Sequence, residues 1–206
     1  VLVENLFKRV DMSYLMEYFN NQYIEMFCKE CPNYGKVWTC PPHSFDLEKT
    51  LRKYKTAYLV GTLIYSEELP EHIQKLVNKN PYDIEKATEI MMAEVRKKLD
   101  RELLKVEGEI PKSRAVFSGK CLFCPKCTRE ENKECKNPSI MRVSLESFGF
   151  DICRICNEIL GVEIVWGLYD LPTYVILVSV ILSEDEDKDY SDIVEKHVNA
   201  IDFSSR

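Results

Sequence analysis

The chain has 206 residues, of which 45% are hydrophobic and 30% charged, and a net charge of -6. That length suits one hydrophobic core and is short for two independent ones. The negative balance counts against a nucleic-acid binder, whose domains carry a basic face. No apolar run approaches the roughly 20 residues of a membrane span. The opening VLVENLFKRV has neither the apolar stretch nor the small-residue cleavage site of a secretory signal, and it begins with Val rather than Met. We therefore expect a cytoplasmic protein with no nucleic-acid and no membrane partner.

A helix is predicted over residues 12–20, followed by a cysteine-bearing loop over 28–45. Asp46 is placed to cap a short helix ending at Tyr54. Residues 57–65 (AYLVGTLIY) form a continuous apolar run of β-branched and aromatic side chains, the pattern of a buried strand. Asn80 and Pro81 then offer a cap and a first helical position. Ile84, Ala87, Met91, Val95, Leu99 and Leu103 repeat at intervals of three and four, so a long helix should follow, ended by Gly108 and Pro111.

Residues 114–117 read as a second strand that runs into a cysteine loop at Gly119. Asn137–Pro138 should open another helix with Met141, Leu145 and Phe148 on one face and Gly149 at its end. Asp151 should cap a further short helix to Leu160, closed by Gly161. Residues 162–167 and 173–183 read as two strands of a hairpin joined through YDLP. An acidic loop, EDEDKD, leads to an amphipathic helix over 191–201. The expected fold is a single α+β domain spanning residues 1–206: a four-stranded mixed sheet covered by helices, with both cysteine loops at its edge.

Nine cysteines dominate the chemistry: Cys28, Cys31, Cys40, Cys121, Cys124, Cys127, Cys135, Cys153 and Cys156. Disulfide scaffolds are small chains that lack a core, and this chain needs no such staple. Cysteines at intervals of three along one loop suit convergence on a metal. The strongest pattern is Cys121-x2-Cys124-x2-Cys127-x7-Cys135, in KCLFCPKCTREENKECKNP. Three thiolates in triplet register wrap one loop around a cluster and a fourth closes it, as in ferredoxin-type ligation. Soft sulfur donors suit such iron. Pro125 and Pro138 restrict the backbone, and Lys120, Lys126, Arg129, Lys133 and Lys136 are available to offset the negative charge. Zinc on the same four thiolates is the alternative, although zinc sites favour two separated Cys-x2-Cys pairs.

The second pattern is Cys28-x2-Cys31-x8-Cys40, in FCKECPNYGKVWTCPPH. Three thiolates without an obvious fourth suggest a cluster with one open iron, and an open position lets a metal bind substrate. Phe27, Tyr34, Trp38 and Phe45 are expected to shield it. His43 is a candidate fourth ligand or acid–base group, against the plainer reading of an exposed loop histidine. Cys153 and Cys156 fall in the helix after Asp151. The favoured reading there is buried structural cysteine, with a zinc knuckle shared with Cys28 and Cys31, or a dithiol, as alternatives. No phosphate-binding loop, dinucleotide fingerprint, zinc-hydrolase motif or nucleophile elbow occurs.

The segment CKECPNYGKVWTCPP, followed by CLFCPKC, CKNPS and ESFGFD, resembles a prokaryotic domain-of-unknown-function family of predicted metal-binding proteins, over about residues 28–151. The resemblance implies metal binding, by inference an iron–sulfur cluster, through Cys28, Cys31, Cys40, Cys121, Cys124, Cys127 and Cys135. It supplies no reaction. Three functions follow as expectations. The first is an iron–sulfur protein with one or two [4Fe-4S] clusters, serving a redox partner or a small-molecule substrate in a redox or sulfur-handling pathway of anaerobic type. The others are a zinc-stabilised binding module and an iron–sulfur assembly or delivery factor.

Overall fold

A computed structural model describes residues 1–67, 69–77, 83–167 and 170–204. Its elements in chain order are β1 (Val3–Asp11), α1 (Met12–Leu15), α2 (Asn21–Glu30), α3 (Leu47–Leu51), β2 (Thr56–Tyr65), α4 (Glu71–Val77), α5 (Asp83–Glu109), β3 (Ser113–Val116), α6 (Leu145–Phe148), α7 (Ile152–Arg154), β4 (Tyr174–Ser183) and α8 (Ser191–Asn199). One 3-10 turn continues α1, another follows Cys127, and a π-helical turn, Ile155–Leu160, continues α7.

The strands form one sheet in the order β1-β2-β4-β3. Thr56 of β2 faces both Asp11 of β1 and Ser183 of β4, and Ser113 of β3 also faces Ser183. Every pairing is antiparallel, where the sequence suggested a mixed sheet. β2 is central and buried over nine of its ten residues, which explains its unbroken apolar run, since a strand covered on both faces has no polar side to show.

Alternate residues of β2 feed two cores. Tyr58, Val60 and Ile64 join Leu177 and Ile181 of β4 beneath α4, α5 and α8, where the predicted stripe Ala87, Met91, Val95, Leu99 and Leu103 is buried. Ala57 and Leu59 join Val178, Val180 and Leu182 on the opposite face, against Leu15 of α1, Leu51 of α3, Leu145 and Phe148 of α6, and Ile155 and Cys156. Helices thus cover both faces of the sheet. The capping expectations hold at two places: Asp46 accepts from the amide of Lys49 at 2.9 Å, and Asp151 from that of Arg154 at 3.1 Å.

Several expectations are corrected. Residues 162–167 form no strand, and no hairpin joins them to β4: the Val162 amide donates to the Cys156 carbonyl at 3.0 Å and the Glu163 carbonyl accepts from the Tyr174 hydroxyl at 2.6 Å, so these groups are not spent on a ladder. The fourth strand is instead β1, at the other side of β2. The helix expected from Asn137 shrinks to α6, capped by Ser144. Residues 137–142 spend their hydrogen-bonding groups elsewhere: Asn137 donates to two cysteine sulfurs, and Arg142 pairs with Glu107 at 2.6 Å. Cys28 lies on α2 rather than in a loop. The Asn80–Pro81 cap, and Tyr169 of the expected YDLP turn, lie outside the described residues. Among the described residues no helix is long and apolar enough to cross a membrane.

Candidate metal centre

The two cysteine loops meet. The amide of Trp38 donates to Cys127 Sγ at 3.4 Å, and its indole Nε1 donates to the Lys133 carbonyl at 3.2 Å. The Cys121 amide donates to Thr39 Oγ1 at 3.1 Å. Arg129 binds hardest: its guanidinium donates to the carbonyls of Val37 (2.9 Å), Cys40 (2.6 Å) and Pro42 (2.6 Å) and lies over the Trp38 ring. Charge-assisted bonds of this kind are among the stronger ones available.

The core fixes both ends of the 121–135 loop. Before Cys121, Arg96 of α5 donates to the Lys120 carbonyl at 2.8 Å and to Asp100 at 2.8 Å. Burial pushes the Asp100 carboxyl up to about 6 although Arg96 pulls it down. After Cys135, Arg142 grips Glu107 of α5 through two nitrogens, at 2.7 and 2.6 Å.

Within this frame the seven thiols fall into two sets. Burial raises the Cys121 thiol, a backbone hydrogen bond from Phe123 lowers it, and Cys135, Cys124 and Cys127 raise it further. All four also line a cavity of about 640 Å³ walled by Ile90, Met92 and Ala93 of α5. Burial likewise lifts Cys40, up to about 11, with added repulsion from Cys31 and Cys28. Cys28 is raised by burial first, then by Glu146 and Cys31.

Amide donors point at the sulfurs. Besides the Trp38 bond, Asn137 donates from its backbone to Cys135 Sγ (3.4 Å) and from Nδ2 to Cys124 Sγ (3.1 Å), and Asn33 Nδ2 donates to Cys31 Sγ (3.5 Å). Among the described residues, no three His, Cys, Asp or Glu side chains lie close enough together to hold a single metal ion.

The remaining candidates part company with expectation. His43 Nε2 sits 2.9 Å from Ser147 Oγ and 3.1 Å from the Ser147 carbonyl. Ser147 Oγ itself donates to the Thr39 carbonyl at 2.6 Å. The histidine is therefore a tie between segment 39–43 and α6, and its desolvation lowers its pKa. Cys156 is fully buried in the core, with burial pushing its thiol up to about 12, whereas Cys153 is exposed and is no core residue. Phe27 and Phe45 are 59% and 42% exposed, so they do not shield the site as expected. Lys126 and Lys133 pair with Glu130 and Glu131. Sequence reasoning missed Glu146, Asn137 and Thr39, whose ordinary residue types carry no metal signal of their own.

A family of predicted metal-binding proteins (DUF2284) matches residues 16–182, well over half of the chain and all nine cysteines. The chain belongs to this family. No curated protein and no solved structure matches it. Metal binding is the property that the family description carries, and a chain with four thiols around one cavity and amides aimed at their sulfurs has a donor set suited to it.

Proposed function

We propose that this protein holds a four-thiolate [4Fe-4S] cluster through Cys121, Cys124, Cys127 and Cys135. A second cluster would rest on Cys28, Cys31 and Cys40. In this reading its role is electron transfer, or activation of a small substrate at the second cluster, in a redox or sulfur-handling pathway of a reducing compartment such as the cytoplasm. The observation that carries the reading is that all four thiols line one cavity, with N–H donors directed at Cys124, Cys127 and Cys135. Hydrogen bonds to sulfur are one of the means by which a protein tunes a cluster's potential.

The spacing also bears on the choice of metal. Zinc bound tetrahedrally with Zn–S bonds of about 2.3 Å needs thiolates about 3.8 Å apart. The triplet register of Cys121, Cys124 and Cys127 suits ferredoxin-type ligation more than the two separated Cys-x2-Cys pairs that zinc sites favour. When bound, such a cluster supplies one-electron chemistry. The chain's own residues donate hydrogen bonds to the sulfurs and tie the two loops together.

The deciding experiment is anaerobic purification of the full chain with quantification of iron, acid-labile sulfide and zinc. Iron and sulfide in near-equal amounts are expected, with visible absorption. Stoichiometric zinc without sulfide would overturn the proposal and make the thiolates a structural staple.

A further inference from the structure

The two sides of α2 differ in what they present. Asn21, Ile24, Glu25 and Cys28, three or four residues apart, share one side and are half-buried. Tyr23, Met26 and Phe27 share the opposite side at the spacing of an apolar helical stripe, and are 47%, 61% and 59% exposed. Tyr23 and Phe27 meet edge to face, with ring centroids 5.1 Å apart. A contiguous apolar stripe turned to water marks a surface that another molecule covers. Tyr, Phe and Met are also residue types enriched at the centres of protein interfaces.

Charge decides what covers it. Beside the stripe, α2 and residues 41–48 enclose a groove of about 660 Å³. Phe45 and Leu47 line it with Glu25, Asp46 and Glu48, and among the described residues no lysine or arginine does. Glu48 pairs with Arg52. Glu25, Asp46 and Glu30, the last residue of α2, form no ion pair among the described residues, and Lys29 is the one basic side chain of α2. A second copy would press this acidic face against its own image, since a two-fold contact joins a patch to itself. Anionic lipid and nucleic acid are repelled in the same way. The complementary occupant is a protein with an apolar centre and a basic rim.

The face lies where the Cys28, Cys31 and Cys40 set reaches the surface. Cys28 is on α2, and Cys31, just after Glu30, is exposed. The groove reaches Pro41 and Pro42, beside Cys40. We propose that the Tyr23, Met26 and Phe27 face of α2, with its acidic groove, is the docking surface of a basic-rimmed protein electron carrier. The inference rests on the reading of Cys28, Cys31 and Cys40 as cluster ligands. While docked, the carrier's cofactor gains the one electron that this protein's centre loses, or the reverse. One short helix face suits such a contact, because weak electron-transfer complexes bury under about 1,200 Å² in all.

The test uses the anaerobically purified full chain, reduced with dithionite and freed of excess reductant. Ferric cytochrome c is the basic-rimmed probe, its haem iron taking one electron to become ferrous. Dichlorophenolindophenol, a small acceptor that needs no docking face, is the control. The parent should reduce cytochrome c at a rate that falls as salt is raised. The double substitution Met26→Ala, Phe27→Ala should lower that rate about tenfold, as loss of central apolar anchors does. Glu30→Lys should lower the rate and flatten its salt dependence. Iron, sulfide and the rate with the dye should match the parent's in both variants. The inference is overturned if the parent reduces the dye but not cytochrome c, or if its rate with cytochrome c ignores salt. It is overturned too if both variants keep the parental rate, or if they slow equally with the dye, which would assign these residues to the centre. A parent dimer that the double substitution dissolves would show a second copy on the face, against the inference. If Cys40→Ala keeps the parental iron content and electron paramagnetic resonance spectrum, the three-cysteine cluster itself fails and the inference with it.

Discussion

Arg129 joins the two cysteine loops at a single side chain. It follows Cys127 by two residues and spends its planar fork on three carbonyls around Cys40. A lysine offers no such fork, so the residue is more than a countercharge. Arg129→Met should cost about 2–4 kcal/mol, since hydrogen bonds to a charged donor are worth about 1.5–3 kcal/mol each and the carbonyls are only partly buried. Denaturant unfolding measures that loss, and iron analysis should show both thiol sets depleted, not the 121–135 set alone. Cys156 makes the opposite case. Its sulfur is buried among Ile155, Leu160 and Leu182, so Cys156→Ala should lose about 1–2 kcal/mol, as small core truncations do, and keep its full metal content. Loss of metal in that variant would move Cys156 from the core to the ligand set.

At the scale of elements, Gly149 couples α6 to α2. It adopts φ +102° as the C-cap of α6, and any Cβ there would press on the Asn21 backbone. Gly149→Ala should therefore destabilise the fold by about 2–4 kcal/mol, from left-handed strain together with a clash against backbone that cannot yield. Because α2 carries Cys28, thermal unfolding and metal content should fall together. Elements with strong periodicity or a cap were legible from sequence: β2, β4, the stripe of α5, and the helices begun by Asp46 and Asp151. β1 was not, because VENLFKRVD alternates poorly and carries charge on an edge strand, where one side faces water. α2 was hidden for a different reason. Its cysteine drew attention to metal spacing, and none of its residues is buried to betray a face. Residues 162–167 have strand composition, but the Val162 amide and the Glu163 carbonyl are spent on Cys156 and on the Tyr174 hydroxyl. The cysteines of the two loops stood out as metal-ligand candidates because few roles explain such spacing.

Across the whole molecule, the 121–135 loop is tied into both α5 and the 31–42 segment, while that segment is tied through Ser147 into α6 and the opposite core. The bonds from Trp38 to Cys127 and from Cys121 to Thr39 join chain segments separated by some eighty to ninety residues, and a metal centre on the 121–135 cysteines orders one of the two loops that they connect. Its binding energy then becomes folding energy, because the unfolded chain holds no preformed site. Cys124→Ser tests this coupling. The substitution replaces a soft donor by a poor one for iron and removes the sulfur to which Asn137 donates, while the hydroxyl keeps nearly the same volume. Metal content and thermal midpoint should therefore fall together in Cys124→Ser. Removing metal from the parent with a chelator should lower its midpoint toward that of the variant, and the same chelator should leave the variant almost unchanged. A variant that binds metal and melts like the parent would show that Cys124 is no ligand. A variant that loses metal at an unchanged midpoint would show that the hydrogen bonds of Arg129, Trp38 and Thr39 hold the loops without help from the centre.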